Sequence, residues 1–103
     1  MARRAPERRC TVRCRTARPV AALELRGELP VWAVAHPMTA TDDGHAVELR
    51  LPPGVYPIKA RSDDGAWWLD PAWPVIDAGD GQRNGALVIG GAAAPVLHAP
   101  APP

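Results

Sequence analysis

Residues 46–61 read Ala-Val-Glu-Leu-Arg-Leu-Pro-Pro-Gly-Val-Tyr-Pro-Ile-Lys-Ala-Arg. Two alternating runs meet here at a turn. In the first, Val47, Leu49 and Leu51 share one face, and Glu48 and Arg50 take the other. That is the period of a half-buried strand. After Pro52-Pro53-Gly54 the alternation resumes, with Tyr56, Ile58 and Ala60 inward and Lys59 and Arg61 outward. Pro57 has no N–H to give a ladder, so it predicts an edge position or a bulge for the second strand.

The same grammar extends to both sides. Val20–Arg26, Val31–Ala35, Ala66–Leu69 and Ala86–Ile89 are further short strand candidates, with Ala21, Leu23 and Leu25 sharing a face of the first. Asp42-Asp43-Gly44 and Asp63-Asp64-Gly65 separate them, and Asp-Gly suits the positive φ of a tight turn. No window carries a 3.6-residue period. Short strands about ten residues apart predict an antiparallel β-sandwich of immunoglobulin-like, all-β architecture over residues 20–91.

Composition bounds the rest. A chain of 103 residues holds one small domain and excludes a Rossmann enzyme, a TIM barrel or a multi-domain machine. Thirteen prolines and nine glycines argue against long helices. The aromatic set is four Trp and one Tyr with no Phe, and Lys59 is the only lysine. A core drawn without Phe hints that some indoles work at the surface.

The net charge of +1 hides two opposite halves. Residues 1–19 carry seven Arg against Glu7 alone, whereas the remainder is acidic. Residues 1–19 therefore read as a flexible basic arm, and residues 92–103 as a loose Ala/Pro-rich tail. The body lacks the basic face of a nucleic-acid domain. No apolar signal core and no membrane-length apolar run is present, which predicts no membrane partner. Cys10 and Cys14 lie in the arm without a neighbouring His, a poor zinc site, and predict a reducing, cytoplasmic compartment.

Catalytic constellations are weak. His36, His45 and His98 form no metal spacing, Ser62 is the only serine, and no Gly-rich phosphate loop precedes a helix. Turn chemistry accounts for the paired aspartates. A small sandwich with this inventory is expected to be a binding module, with no enzymatic activity, no cofactor and no metal.

One series of motifs narrows the expectation. From Gly27 the chain reads GELPVW, HPM, LPPGVYPIK, DDGAWWLDPAWP and DGQRNGALVI. Gly27, Glu28, Leu29 and Trp32 are followed by His36-Pro37-Met38, by Leu51-Pro52 with Gly54, and by Ile58-Lys59-Ala60. Asp64-Gly65-Ala66-Trp67, Asp70-Pro71 and Asn84 complete the order. This series resembles the glycogen-binding domain of AMP-activated protein kinase β subunits and the related family-48 carbohydrate-binding modules. Those are early-set, immunoglobulin-like domains similar to the isoamylase N-terminal domain. The resemblance implies a site for α-1,4-glucan, such as glycogen, starch or a maltooligosaccharide. Trp32 and Trp67 would stack on the sugar, Lys59 and Asn84 would bond its hydroxyls, and Trp73 and Gln82 are possible additions. A kinase or a glucan-metabolising enzyme is the protein partner it implies. The chain departs from the pattern where Leu29 and Ala60 replace Phe, and by one extra residue between Lys59 and Trp67. An immunoglobulin-like protein-interaction domain without sugar affinity is the alternative, with the exposed indoles as partner anchors.

Overall fold

The two runs of residues 46–61 form two strands, but they lie in different sheets. The computed structural model describes residues 6–77 and 81–90. Its strands are β1 (Arg8–Cys14), β2 (Leu23–Gly27), β3 (His36–Pro37), β4 (Thr39–Thr41), β5 (Gly44–Leu51), β6 (Gly54–Ser62), β7 (Trp67–Trp68), β8 (Val75–Asp77) and β9 (Arg83–Ile89). One sheet has the order β1-β5-β4. The other runs β3-β2-β6-β9-β8, with β7 also on β6. Every pairing is antiparallel. The described chain is therefore all-β, as expected.

Pro52-Pro53 carries the chain from one sheet to the other. Neither proline can donate to a ladder, and the Tyr56 hydroxyl donates to the Pro52 carbonyl at 2.5 Å. The two sheets meet through their inward faces. Val12, Cys14 and Leu49 of the first join Leu23, Leu25, Ile58 and Ala60 of the second in one buried cluster, together with Leu29 and Met38. Each large aliphatic side chain buried there contributes about 1.5–3 kcal/mol.

Turns form at both Asp-Asp-Gly signals, but of these two glycines only Gly65 takes the expected positive φ, while Gly44 opens β5. Asp42 and Asp43 close the β4–β5 hairpin, whose last pair is Thr41 with Gly44. Between β6 and β7, Gly65 has φ +86°, and the Ser62 N–H donates to Ala66 O at 2.9 Å.

Four expectations need correction. Pro57 sits neither at an edge nor at a bulge: β6 is central, with Pro57 opposite Ala86 on β9. Its carbonyl accepts from Glu28 N at 3.0 Å, so its N side faces β2, and β2 ends one residue earlier at Gly27. In an antiparallel ladder a residue's N and O point the same way, so the missing donor falls where the ladder stops. Val31–Ala35 is a turn, not a strand. Arg26 Nη1 takes the carbonyls of Trp32 and Ala33 at 3.0 and 3.2 Å, which a strand would have offered to a neighbour. Ala21 is exposed and lies outside β2, which begins at Leu23.

The fourth correction is the largest. Within the expected flexible arm, Arg8–Cys14 is strand β1, paired along its whole length with β5. Cys10, Val12 and Cys14 alternate inward while Arg9, Thr11 and Arg13 point outward. The apolar period of two was present but interleaved with arginines. The predicted tail at 92–103 lies outside the described residues.

Burial pushes the Cys14 thiol up to about 12, helped by the Asp70 charge. Cys10, only partly buried, is also raised, again chiefly by burial. Alkylation needs the thiolate. In the folded protein at about pH 8, iodoacetamide is therefore expected to leave Cys14 unmodified and to label Cys10 slowly. Urea should make both react. Mass spectrometry of the labelled chain checks this; equal, rapid labelling of both without urea would mean that β1 is not formed.

Candidate functional site

Of the expected site residues, the outer face of the larger sheet brings together Lys59, Trp67 and Asn84. On β6 the inward positions are Ile58, Ala60 and Ser62, so Lys59 and Arg61 point outward. Residues paired across antiparallel strands share a face. Arg61 is opposite Trp67 and Ala60 opposite Trp68. Trp67 therefore lies outward, 48% exposed, and Trp68 inward against the core.

The two neighbouring indoles are held differently. Trp68 Nε1 donates to the buried Ser62 Oγ at 2.9 Å, and the Arg18 guanidinium stacks over its ring at 5.2 Å. Trp67 has the Arg61 guanidinium over its ring at 5.4 Å. An exposed cation over an indole contributes about 0.5–1 kcal/mol, enough to bias the rotamer of a ring that is otherwise half in water.

Lys59, half-buried, is opposite Arg26 on β2. On its other side the recorded β6–β9 pairing ends at Ile58 with Gly85, one step short of Lys59 and Asn84. Those two residues occupy the next positions of adjacent strands on the outer face. Asn84 is in turn opposite Ile76 on β8. Lys59 is also a diagonal neighbour of Trp67, at about 7–8 Å between such positions.

Trp32 is tied to Arg26 of β2 by its backbone carbonyl. It stands half-buried in the 31–34 turn, closed by Val34 N on Val31 O at 3.1 Å. Arg26, whose Nε is 2.5 Å from Glu24 Oε2, holds that turn by its carbonyls beside the Lys59 row. His36 steadies the same segment with Nε2 2.5 Å from Leu29 O, and Met38 N donates to Leu23 O at 2.9 Å. The His-Pro-Met motif thus positions the loop.

Trp73 does not join the outer face. Its Nε1 donates to Arg13 O at 3.0 Å, and it packs against the core. Gly85 leaves room for it: a Cβ there would lie 2.6 Å from the indole Cε3. Gln82 is exposed just before β9, while residues 78–80 of that loop lie outside the described residues.

Two further groups shape the site from behind. Asp70, 4% exposed, accepts from Arg15 N at 2.8 Å, Arg15 Nε and Nη2 at 3.2 Å, and Ala72 N at 2.7 Å. Burial pushes its carboxyl up, but these bonds and the Arg15 charge outweigh it and hold the group below its usual value. Asp64 is held at about 2 by the Ser62 hydroxyl, the Ala66 N–H and Arg18. Both fix the ends of the segment that presents Trp67. The sequence singled out Asp70-Pro71 as a motif, but not Arg15 as its partner. Nor did it single out Arg26 and Arg61, although their outward register was readable from the alternation.

Among the described residues, no group of three or more His, Cys, Asp or Glu could hold a metal ion. Among them too, no helix is long and apolar enough to cross a membrane. No protein-family model matches the chain, and no curated protein matches it.

Proposed function

We propose that this chain is a non-catalytic carbohydrate-binding module for α-1,4-linked glucan, built on an immunoglobulin-like β-sandwich. The observation that carries the reading is the half-exposed Trp67 on the outer face of β7, diagonal to Lys59 and on the same face as Asn84. One face of a glucose ring is a sheet of C–H bonds, and a rigid indole covers it at small entropic cost. Hydroxyls around the ring then need fixed donors and acceptors. The Lys59 ammonium offers three donors, and the Asn84 amide offers donors and an acceptor.

Arg61 sets the terms of the contact. Its guanidinium already lies over the Trp67 ring, so a sugar takes the free side of the indole or displaces Arg61 into water. Trp32 extends the site along the Arg26–Lys59 row. Such a shallow surface predicts weak binding, in the micromolar to millimolar range, about −4 to −8 kcal/mol. By the same reading the chain works in the cytoplasm beside a kinase or a glucan-metabolising enzyme.

Affinity electrophoresis in glycogen-containing gels tests the reading. Migration of the folded chain should be retarded, and maltoheptaose should restore it. Unretarded migration at every glycogen concentration would favour the protein-interaction alternative, in which Trp67 anchors a partner.

A further inference from the structure

Strand β1 fixes arginines that a flexible arm would have left unplaced. Its alternation puts Arg9, Thr11 and Arg13 on the outer face of the smaller sheet. Residues paired across β1 and β5 share a face: Arg9 is opposite Arg50, Thr11 opposite Glu48, and Arg13 opposite Ala46. On β4, Thr39 and Thr41 belong to the same face. All of these except Ala46 are exposed. Three arginines therefore face outward against one carboxylate, Glu48.

The backbone brings two of them close. Arg13 O accepts from Trp73 Nε1, and Arg15 N donates to Asp70 Oδ2, so both groups point away from β5. In an antiparallel ladder the N–H and C=O of one residue point the same way, and the direction alternates from residue to residue. Arg9 and Arg50 are therefore a non-hydrogen-bonded pair, with Cα atoms about 4.5 Å apart. Like charges set directly opposite destabilise a sheet.

Little in the fold relieves that opposition. Arg9 Nε lies 3.3 Å from Glu48 Oε1, with both side chains more than half exposed, and so open a pair exchanges readily with another anion. Among the described residues, no ion pair or hydrogen bond holds the guanidinium of Arg13 or Arg50. Glu7 and Arg8 adjoin the Arg9 end and offset each other, while Asp42 and Asp43 lie in the turn beyond the Arg13 end.

We propose that this face binds the phosphate backbone of duplex nucleic acid. A guanidinium fork matches two phosphate oxygens, and the Thr11 hydroxyl is a further donor of the kind that positions phosphates. The rest of the face selects this partner among polyanions. No described residue on it is aromatic, as stacking of single-stranded bases requires. None is a large apolar anchor for an acidic protein. Contacts to phosphate alone carry no sequence preference. The face lies on the other side of the sandwich from Trp67, so the proposal stands apart from the glucan reading.

Fluorescence anisotropy of a labelled DNA duplex, titrated with the full chain over a series of salt concentrations, tests this. Three guanidiniums on phosphates predict a slope of log K against log salt of about −2.7. Arg13→Gln and Arg50→Gln should each weaken low-salt binding about fivefold or more and make the slope shallower by about 1. Arg83→Gln, the same charge change at the start of β9, should alter neither. Because Arg50→Gln removes a like-charge opposition, its melting temperature should not fall. No salt-dependent binding, or an equal loss in all three variants, would overturn the proposal. So would binding of poly-glutamate in place of the duplex, which would assign the face to an acidic protein.

Discussion

Trp67→Ala is expected to weaken binding of maltoheptaose by about tenfold or more and to leave the fold intact. The indole is 48% exposed and stands on the outer face of the sheet, opposite the side that carries the buried cluster. Removing it takes away a rigid apolar surface, which dominates contacts of this kind. The Arg61 guanidinium lies over its ring on the exposed face, so the stability change should stay near that of an ordinary surface substitution, within about 1 kcal/mol. Calorimetric titration with thermal melts of both proteins checks this. Unchanged affinity would move the site elsewhere. A collapse in melting temperature would mean that Trp67 is a packing residue after all.

Asp70→Ala is expected to be the most destabilising single change outside the apolar core. It strips a buried acceptor from three donors of Arg15 and from the Ala72 amide. Hydrogen bonds to a charged group each contribute about 1.5–3 kcal/mol, and the orphaned amides lose their partner. Because the Arg15 side chain is half in water, a net loss of about 2–3 kcal/mol is expected. For a domain of this size that lowers Tm by more than about 10 °C.

The same contact sets the acid behaviour. A carboxyl held below its usual value in the fold gives stability that is present above its unfolded value and lost as pH falls through the folded one. Asp70 is lowered, and Asp64 is lowered to about 2 from 3.8. The wild type should therefore lose stability as pH falls from about 4 toward 2. Asp70→Ala should start lower and fall less steeply over that window. Urea unfolding at a series of pH values gives both quantities; parallel curves would mean that Asp70 makes no ionic contribution.

The strands at 44–51 and 54–62 were legible because each carries an uninterrupted period of two with a turn signal between. What the period could not say is which sheet each strand joins. A Pro-Pro-Gly junction and a two-residue hairpin loop look alike until the missing N–H donors are followed in three dimensions. β1 escaped for a different reason. Its inward residues Cys10, Val12 and Cys14 are small and sparse, and four arginines within Arg8–Arg15 outweigh them in any local average. Only the length of β5 shows that a partner must lie beside it.

The outer-face residues divide in the same way. The pleat alone set Trp67 and Trp68 on opposite faces, and the register realises that choice. Trp73 was not separable from a surface ring by pattern, because its place depends on Gly85 and on the carbonyl of Arg13, distant in sequence. Arg15 and Asp70 meet across 55 positions, a pairing no spacing rule reaches.

The most direct measurement follows the four indole N–H signals by NMR while maltoheptaose is added up to about 10 mM, well into the weak-binding range. Two of the four are committed within the fold, Trp68 to Ser62 Oγ and Trp73 to Arg13 O. The expected result is progressive, saturable movement of the Trp67 signal, accompanied by Trp32, with Trp68 and Trp73 still. No movement at any of the four, or movement confined to Trp68 and Trp73, would contradict a glucan site on the outer face of the sheet.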